Sequence, residues 1–399
     1  MKLAYKEYEL TCIAPVHIGN GTTLKAYEYI YDANKQQVLF INETKWIPFL
    51  QEHKLMDAFA DYIMQTARAL SAKGNFQGQY LWDWLRHQGI SADEIRRLAL
   101  RCAAASPRTV TGKQNHPNDI ALQTALTDGR LYIPGSTIKG ALRTAVLWKC
   151  IQEQSHHFAS DWQKLCGLTD KRSKKEREKV SNGIERRLLH LLDADSDKRK
   201  AVNSVMRGLR VSDAVSDTKS AIILQKIDES THAGRLHKNE KFLPLFRECI
   251  PAGTKLHFSL TADFSILEKV GLHSFADIWD AMRRYTQSGL SWQRNVFDHR
   301  YEYLFQEADM ADMMLGGGTG FLSKTLVQAL APDLHAAKDY IARFLDANFQ
   351  KKDKATRRYR PVHDHVKLDR EISPRTLKVT KPGQDTWIMG LCQIHESKG

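Results

Sequence analysis

Alternation opens the chain. In "YKEYELTC" the residues Tyr8, Leu10 and Cys12 fall on one face and Glu7, Glu9 and Thr11 on the other, a period of two that predicts a strand with one buried side. Pro15 interrupts pairing in "APVHIGNG", where Gly19 to Gly21 are expected to turn the chain, and "AYEYIYD" and "QQVLFIN" predict two more strands joined at "DANK". From Trp46 to about Ala105 the apolar spacing becomes helical, as in "LWDWLRHQG" and "ADEIRRLALRCAA". Helices are also predicted through "TIKGALRTAVLWKCIQEQ", the charged stretch ending "GIERRLLHLLDA", "HSFADIWDAMRRYTQSG" and "DLHAAKDYIARFLDAN". Strands return at "GLRVSD", "SAIILQKI" and "GTKLHFSLTADF", and "DTWIMGLCQI" predicts a closing strand. Strand runs interrupted by helices predict an α+β fold. We divide the 399 residues into a domain at 1–215, with the helical block at about 46–105 as an insertion, and a domain at 216–399.

Composition narrows the class. With 42% hydrophobic and 26% charged residues the chain is expected to pack into a core and not to form a disordered tail. The six cysteines are scattered without a C-x-x-C pair or a histidine at zinc-ligand spacing, so neither a disulfide framework nor a structural zinc site is indicated. "MKLAYKEYELTC" has no signal-peptide core and no apolar run reaches membrane-spanning length; a soluble cytoplasmic protein is the expectation.

Charge points to a partner. The formal charge is +13, and the surplus is uneven: eleven basic against six acidic residues from Lys171 to Lys200, and eleven against four from Phe349 to Gly383. Such runs suit a polyanion, because neutralising phosphates releases condensed counterions.

Local motifs make that partner more specific. "LYIPGSTIKGALRTAV" starts a helix at Pro134-Gly135-Ser136 and then places Lys139 and Arg143 four residues apart near the end where the helix dipole favours acids. Two readings fit: a capped helix with a solvated basic face, or a phosphate clamp built from free N–H groups and the two cations. "GGGTGFLSKT", Gly316 to Thr325, is neither a Walker A loop nor G-x-G-x-x-G, since Ser323 stands where each needs Gly. Its glycines suit close backbone approach; Phe321 is placed either to stack on a base or to enter the core, and Lys324 to meet a phosphate. His17 in "HIGNG" is either a general base for RNA cleavage or a packing residue. "RVSDA" puts Arg210 and Asp213 at a strand end, where Asp213 caps a turn or holds a metal. His363 and His365 in "HDH" are too few donors to make a metal site alone. "SPRTLKVTK" carries Arg375 and Lys378 in a segment suited to phosphate contacts.

In their order along the chain, "APVHIGNG", "IPGSTIKGALRTA", "RVSDA", "GGGTGF" with "SKT", and "SPRTLK" resemble the RAMP proteins of CRISPR systems. The similarity spans nearly the whole chain and is greatest to the subunit that caps the filament of the type III-A (Csm) interference complex. The helical block and the charged segment near Lys171 match none of its motifs. The resemblance implies two RRM-like, ferredoxin-like RAMP domains with helical insertions. It also implies binding to the 3′ region of a CRISPR RNA beside neighbouring RAMP subunits, and assistance to guide maturation through cellular nucleases, with no cofactor and no catalytic residue of its own. By this similarity Gly135, Ser136, Lys139 and Arg143 match the first phosphate-binding element, and Gly316, Gly317, Gly318, Thr319, Gly320 and Phe321 the glycine-rich loop; His17, Arg210, Lys324, Arg375 and Lys378 complete the expected RNA contacts. Target-cutting RAMP subunits carry an aspartate in the loop after the first strand, whereas "IGNGTTLKA" has no acid before Glu28. The alternatives are a metal-independent RAMP endoribonuclease with His17 as base, and a ribosome- or transfer-RNA-associated protein.

Overall fold

A computed structural model describes residues 3–70, 79–105, 119–230, 246–297, 299–354, 356–381 and 385–397. The opening alternation forms the strand Leu3–Cys12, with Tyr8, Leu10 and Cys12 buried as the period of two requires. This strand lies inside an antiparallel seven-stranded sheet. On one side it pairs with Lys255–Asp263, in the register Leu10 opposite Leu256 and Tyr8 opposite Phe258, and on the other with Leu391–Glu396. Beyond Lys255–Asp263 come Leu209–Val211, Ala214–Ser216 and then Tyr132–Ile133, while Met313–Met314 closes the opposite edge.

The helices Gly135–Glu153 and Phe275–Val296 cover one face of this sheet. Ile138, Leu142 and Ala145 of the first and Ile278 and Met282 of the second join Leu10, Phe258 and Leu260 in the largest core. Strand, helix, strand, strand, helix, strand is the ferredoxin-like order. It is assembled here from residues 3 to 396, so this sheet draws strands from both sides of residue 215.

A second, mixed seven-stranded sheet runs in the order Gly19–Leu24, Ile120–Gln123, Phe246–Cys249, Ser220–Gln225, Ala99–Ala104, Gln37–Ile41, Ile30–Asp32. The fold is therefore α+β. The helices Glu43–Glu52, Met56–Leu70, Leu81–His87 and Ala92–Arg97 pack a separate core around Trp46, Leu50, Trp84, Leu85 and Ile95.

Three predicted elements differ. "ADEIRRLALRCAA" is helical only to Arg97; Ala99–Ala104 is a strand, held between Gln37–Ile41 and Ser220–Gln225. Tertiary pairing overrides local spacing there. "HIGNG" does not simply turn: Gly19–Leu24 pairs with Ile120–Gln123. The closing strand is two strands in different sheets, because Trp387–Ile388 pairs with Thr376–Thr380 and Leu391–Glu396 returns to the first sheet.

Candidate nucleic-acid interface

Pro134 stands at the start of the helix Gly135–Glu153 and contributes no side-chain cap, and Ser136 is exposed in the first turn. The acceptor comes from another element. Asp213, beyond the strand Leu209–Val211, accepts the Gly135 N–H at Oδ1, 2.7 Å away. A carboxylate at this end satisfies an orphan N–H and opposes the positive pole of the helix. Gly135 is obligatory for the approach, since a Cβ there would lie 2.3 Å from the Val211 carbonyl oxygen and 2.6 Å from that of Ser212.

The same approach brings Arg210 to Lys139. Burial first, and the Arg210 charge second, push the Lys139 ammonium below its ordinary pKa. Neither side chain has an acid partner among the described residues. Arg143 is different: it forms an ion pair with Glu185 of the helix Lys174–Leu189. Arg143 is thus tied to Glu185, while the cation whose charge acts on Lys139 is Arg210.

A second cluster surrounds the glycine-rich loop. Gly316, Gly318 and Gly320 have φ of 86°, 90° and 93°. A Cβ at Gly316 would sit 2.2 Å from the His17 carbonyl oxygen, which also accepts the Gly317 N–H at 2.7 Å. His17 is 5% exposed, and its Nδ1–H donates to the Glu248 carbonyl oxygen at 2.7 Å. Burial, with the nearby charges of Arg247 and Lys324, pushes its pKa down to about 4. In this setting the ring is neutral near pH 7 and holds the loop to the second sheet.

Lys324 donates to the Gly316 carbonyl oxygen at 2.6 Å, and burial followed by the Arg247 charge lowers its pKa. Arg247 has no acid partner among the described residues, although its neighbour Glu248 is buried and paired with Arg101 at 2.7 Å. Lys378 packs against Gly320, donates to Thr376 at 2.6 Å and pairs with Asp228 at 2.9 Å. Thr319 is buried and bonds the Gly316 carbonyl at 3.1 Å, closing the loop on itself.

Two expected contacts are engaged inside the protein. Arg375 is buried and pairs with Asp369 at 2.7 Å, and Asp369 also accepts from His365 at 2.8 Å. Phe321 packs at a ring distance of 6.0 Å from Phe344, itself 5.0 Å from the Arg177 guanidinium. Phe321, Lys324, Arg177 and Thr144 line a groove of about 440 Å³ between the loop and the two helices. Among the described residues no group of three or more His, Cys, Asp or Glu side chains is arranged to hold a metal.

Arg247 carries no signal in the sequence. It lies in Phe246–Cys249, where Phe246 and the charged Glu248 are both buried, so no polar and apolar alternation marks it. On the uncovered face of the first sheet Glu7, Glu9, His257 and His395 line an open depression of about 630 Å³, where Glu9 pairs with Lys255 at 3.0 Å and Glu396 with Lys6 at 2.6 Å.

Residues 9–397 match the family model of the RAMP superfamily. The chain is a RAMP protein. Among its RAMP relatives, the "CRISPR system Cms protein Csm5" of Mycobacterium tuberculosis (strain ATCC 25618 / H37Rv) is 27% identical over 99% of this chain and 98% of its own length. The protein of the same name from Enterococcus italicus is 24% identical over 97% and 96%. The fold is similar to a chain in the cryo-EM structure of a Csm-crRNA-target RNA ternary complex of a type III-A CRISPR-Cas system, with a TM-score of 0.63, 17% identity and coverage of 98% of this chain and 100% of that one. It is also similar to crystalline Csm5 of T. onnurineus, with a TM-score of 0.50, 17% identity and coverage of 73% and 83%.

Proposed function

We propose that this RAMP protein is a non-catalytic RNA-binding subunit of a type III-A (Csm) CRISPR effector complex. In this reading it caps the filament at the 3′ region of the CRISPR RNA, beside neighbouring RAMP subunits, and assists guide maturation through cellular nucleases in the cytoplasm. Full-length similarity to proteins named Csm5 supports the assignment to such a complex. The observation that carries RNA binding is Lys139 beside Arg210 without an acid partner among the described residues, at a helix start that contributes Gly135 and Ser136. Two cations held together repel one another, and an RNA phosphate between them removes that cost. Arg247 and Lys324 repeat the arrangement at the glycine-rich loop, where His17 positions the backbone and Lys378 packs on Gly320. Endonuclease chemistry at His17 gains no support from a ring that is 5% exposed.

The test is the salt dependence of RNA binding in the assembled complex. Lys139→Ala with Arg210→Ala is expected to flatten the log–log salt slope by about 0.7 for each single-strand phosphate that the variant no longer neutralises. Arg143→Ala, already paired with Glu185, is expected to leave it nearly unchanged. An unaltered slope in the double variant would overturn the assignment of this site.

A further inference from the structure

The hairpin Gln350–Lys352 and Tyr359–Pro361 belongs to neither cation cluster. It follows the helix Leu334–Asn348 and pairs in the register Lys351 opposite Arg360 and Lys352 opposite Tyr359. All three residues of the first strand are exposed, as are Tyr359 and Arg360 of the second. Directly opposed cations such as Lys351 and Arg360 destabilise a two-stranded ladder, so charge here works against the local fold.

The turn is nevertheless built with care. Asp353 accepts the Thr356 N–H at 2.9 Å, donates its own N–H to the Arg358 carbonyl at 2.8 Å, and pairs with Arg360 at 3.1 Å. Arg357 adopts a φ of 59° to close it. Asp353 is the only acid from Phe349 to Val362. Lys351, Lys352, Lys354, Arg357 and Arg358 have no acid partner among the described residues. Two aromatic rings stand out with them: Phe349 is 56% exposed and Tyr359 is 68% exposed.

The base of the hairpin is fixed. Asp346, at the end of the preceding helix, accepts the backbone N–H groups of His365 and Val366 at 2.7 and 2.9 Å. Asp369 then ties His365 to Arg375, whose second contact is the His363 carbonyl at 3.3 Å. Arg375, paired with Asp369, therefore anchors the segment that carries these cations.

We infer that residues 349–354 and 356–362 form a further RNA-binding element, in which the cations without an acid partner among the described residues track the backbone of a single strand and Tyr359 stacks on a base. Cations interleaved with exposed rings are what a single strand requires, because every base has a face to stack and every linkage a charge to neutralise. This inference rests on the RNA-binding reading above, and its test separates the two. The full chain is titrated with fluorescein-labelled oligouridylate over a range of salt, followed by anisotropy, and compared with two variants. One carries Lys351→Ala, Lys352→Ala, Lys354→Ala, Arg357→Ala and Arg358→Ala; the other carries Tyr359→Ala alone.

The five-site variant is expected to flatten the salt slope by about three, and Tyr359→Ala to weaken binding about tenfold with the slope intact. If the five-site variant melts early, the Tyr359→Ala measurement decides the question alone. Native chain that binds steeply with salt while both variants bind equally well overturns the hairpin and leaves the Lys139 and Arg210 site standing. Native chain that fails to bind, alone and in the complex, overturns both. Variants that bind RNA normally but no longer co-purify with neighbouring subunits identify the hairpin as a protein-docking surface, against the inference.

Discussion

His17 illustrates how burial sets the role of a residue. Its pKa is about 4 in the folded chain against an ordinary 6.5, so below pH 6.5 the unfolded chain binds a proton that the folded chain refuses. Stability should therefore fall as pH drops from 6.5 toward 4, with His17 accounting for about 2 kcal/mol of loss between pH 7 and pH 5. Urea titrations of the native chain and of His17→Gln at the two pH values check this. The variant should lose less between them, and identical pH dependence would show that the ring is not the group responsible. A histidine near glycines was legible in the sequence, but its burial was not. That burial comes from Glu248 and Gly317, which lie 231 and 300 positions away.

At the scale of elements, the helix Gly135–Glu153 shows what a motif can and cannot tell. Pro-Gly-Ser marked the helix start, and the apolar stripe through Ile138 and Leu142 gave its buried face. The cap did not come from the motif. It comes from Asp213, and the glycine is needed because the turn at Val211 and Ser212 lies against it. Asp213→Ala is expected to cost about 1 kcal/mol, the ordinary value of a helix cap. Gly135→Ala should cost ~3 kcal/mol, since a methyl group cannot occupy a site 2.3 Å from a backbone oxygen without moving it. Thermal or urea unfolding of the two variants ranks them; the reverse order would mean that the strand end yields freely. The cation pairing follows from the same packing. Lys139 and Arg143 were visible as neighbours on one helix, yet Glu185 takes Arg143 and the strand Leu209–Val211 brings Arg210 to Lys139.

The whole molecule depends on pairings between its ends. Leu3–Cys12 lies between Lys255–Asp263 and Leu391–Glu396, so a chain ending at residue 215 lacks both of its neighbours. Residues 1–215 expressed alone are expected to show no cooperative thermal transition, and co-expression with residues 216–399 to restore one. A sharp melt of the first fragment by itself would show that the remaining strands suffice. Long-range pairing of this kind carries a large loop-closure cost, which only the completed core repays.

Alternation and helical spacing along the chain determined the α+β character, the buried face of the first strand and the positions of the long helices, because periods of two and of about 3.6 are local properties of the backbone. Glycine and cation patterns also marked the two clusters proposed here to meet RNA, and the basic run after Phe349 marked the hairpin. Tertiary structure alone decided that Ala99–Ala104 is a strand, that "DTWIMGLCQI" serves two sheets, and which cation stands beside which. It assigned Arg375 to Asp369 and gave Asp353, the one acid between Lys351 and Arg358, to Arg360. The physical reason is common to all of these: strand pairing and charge compensation are settled between segments distant in sequence, and local periodicity carries no record of which segments meet.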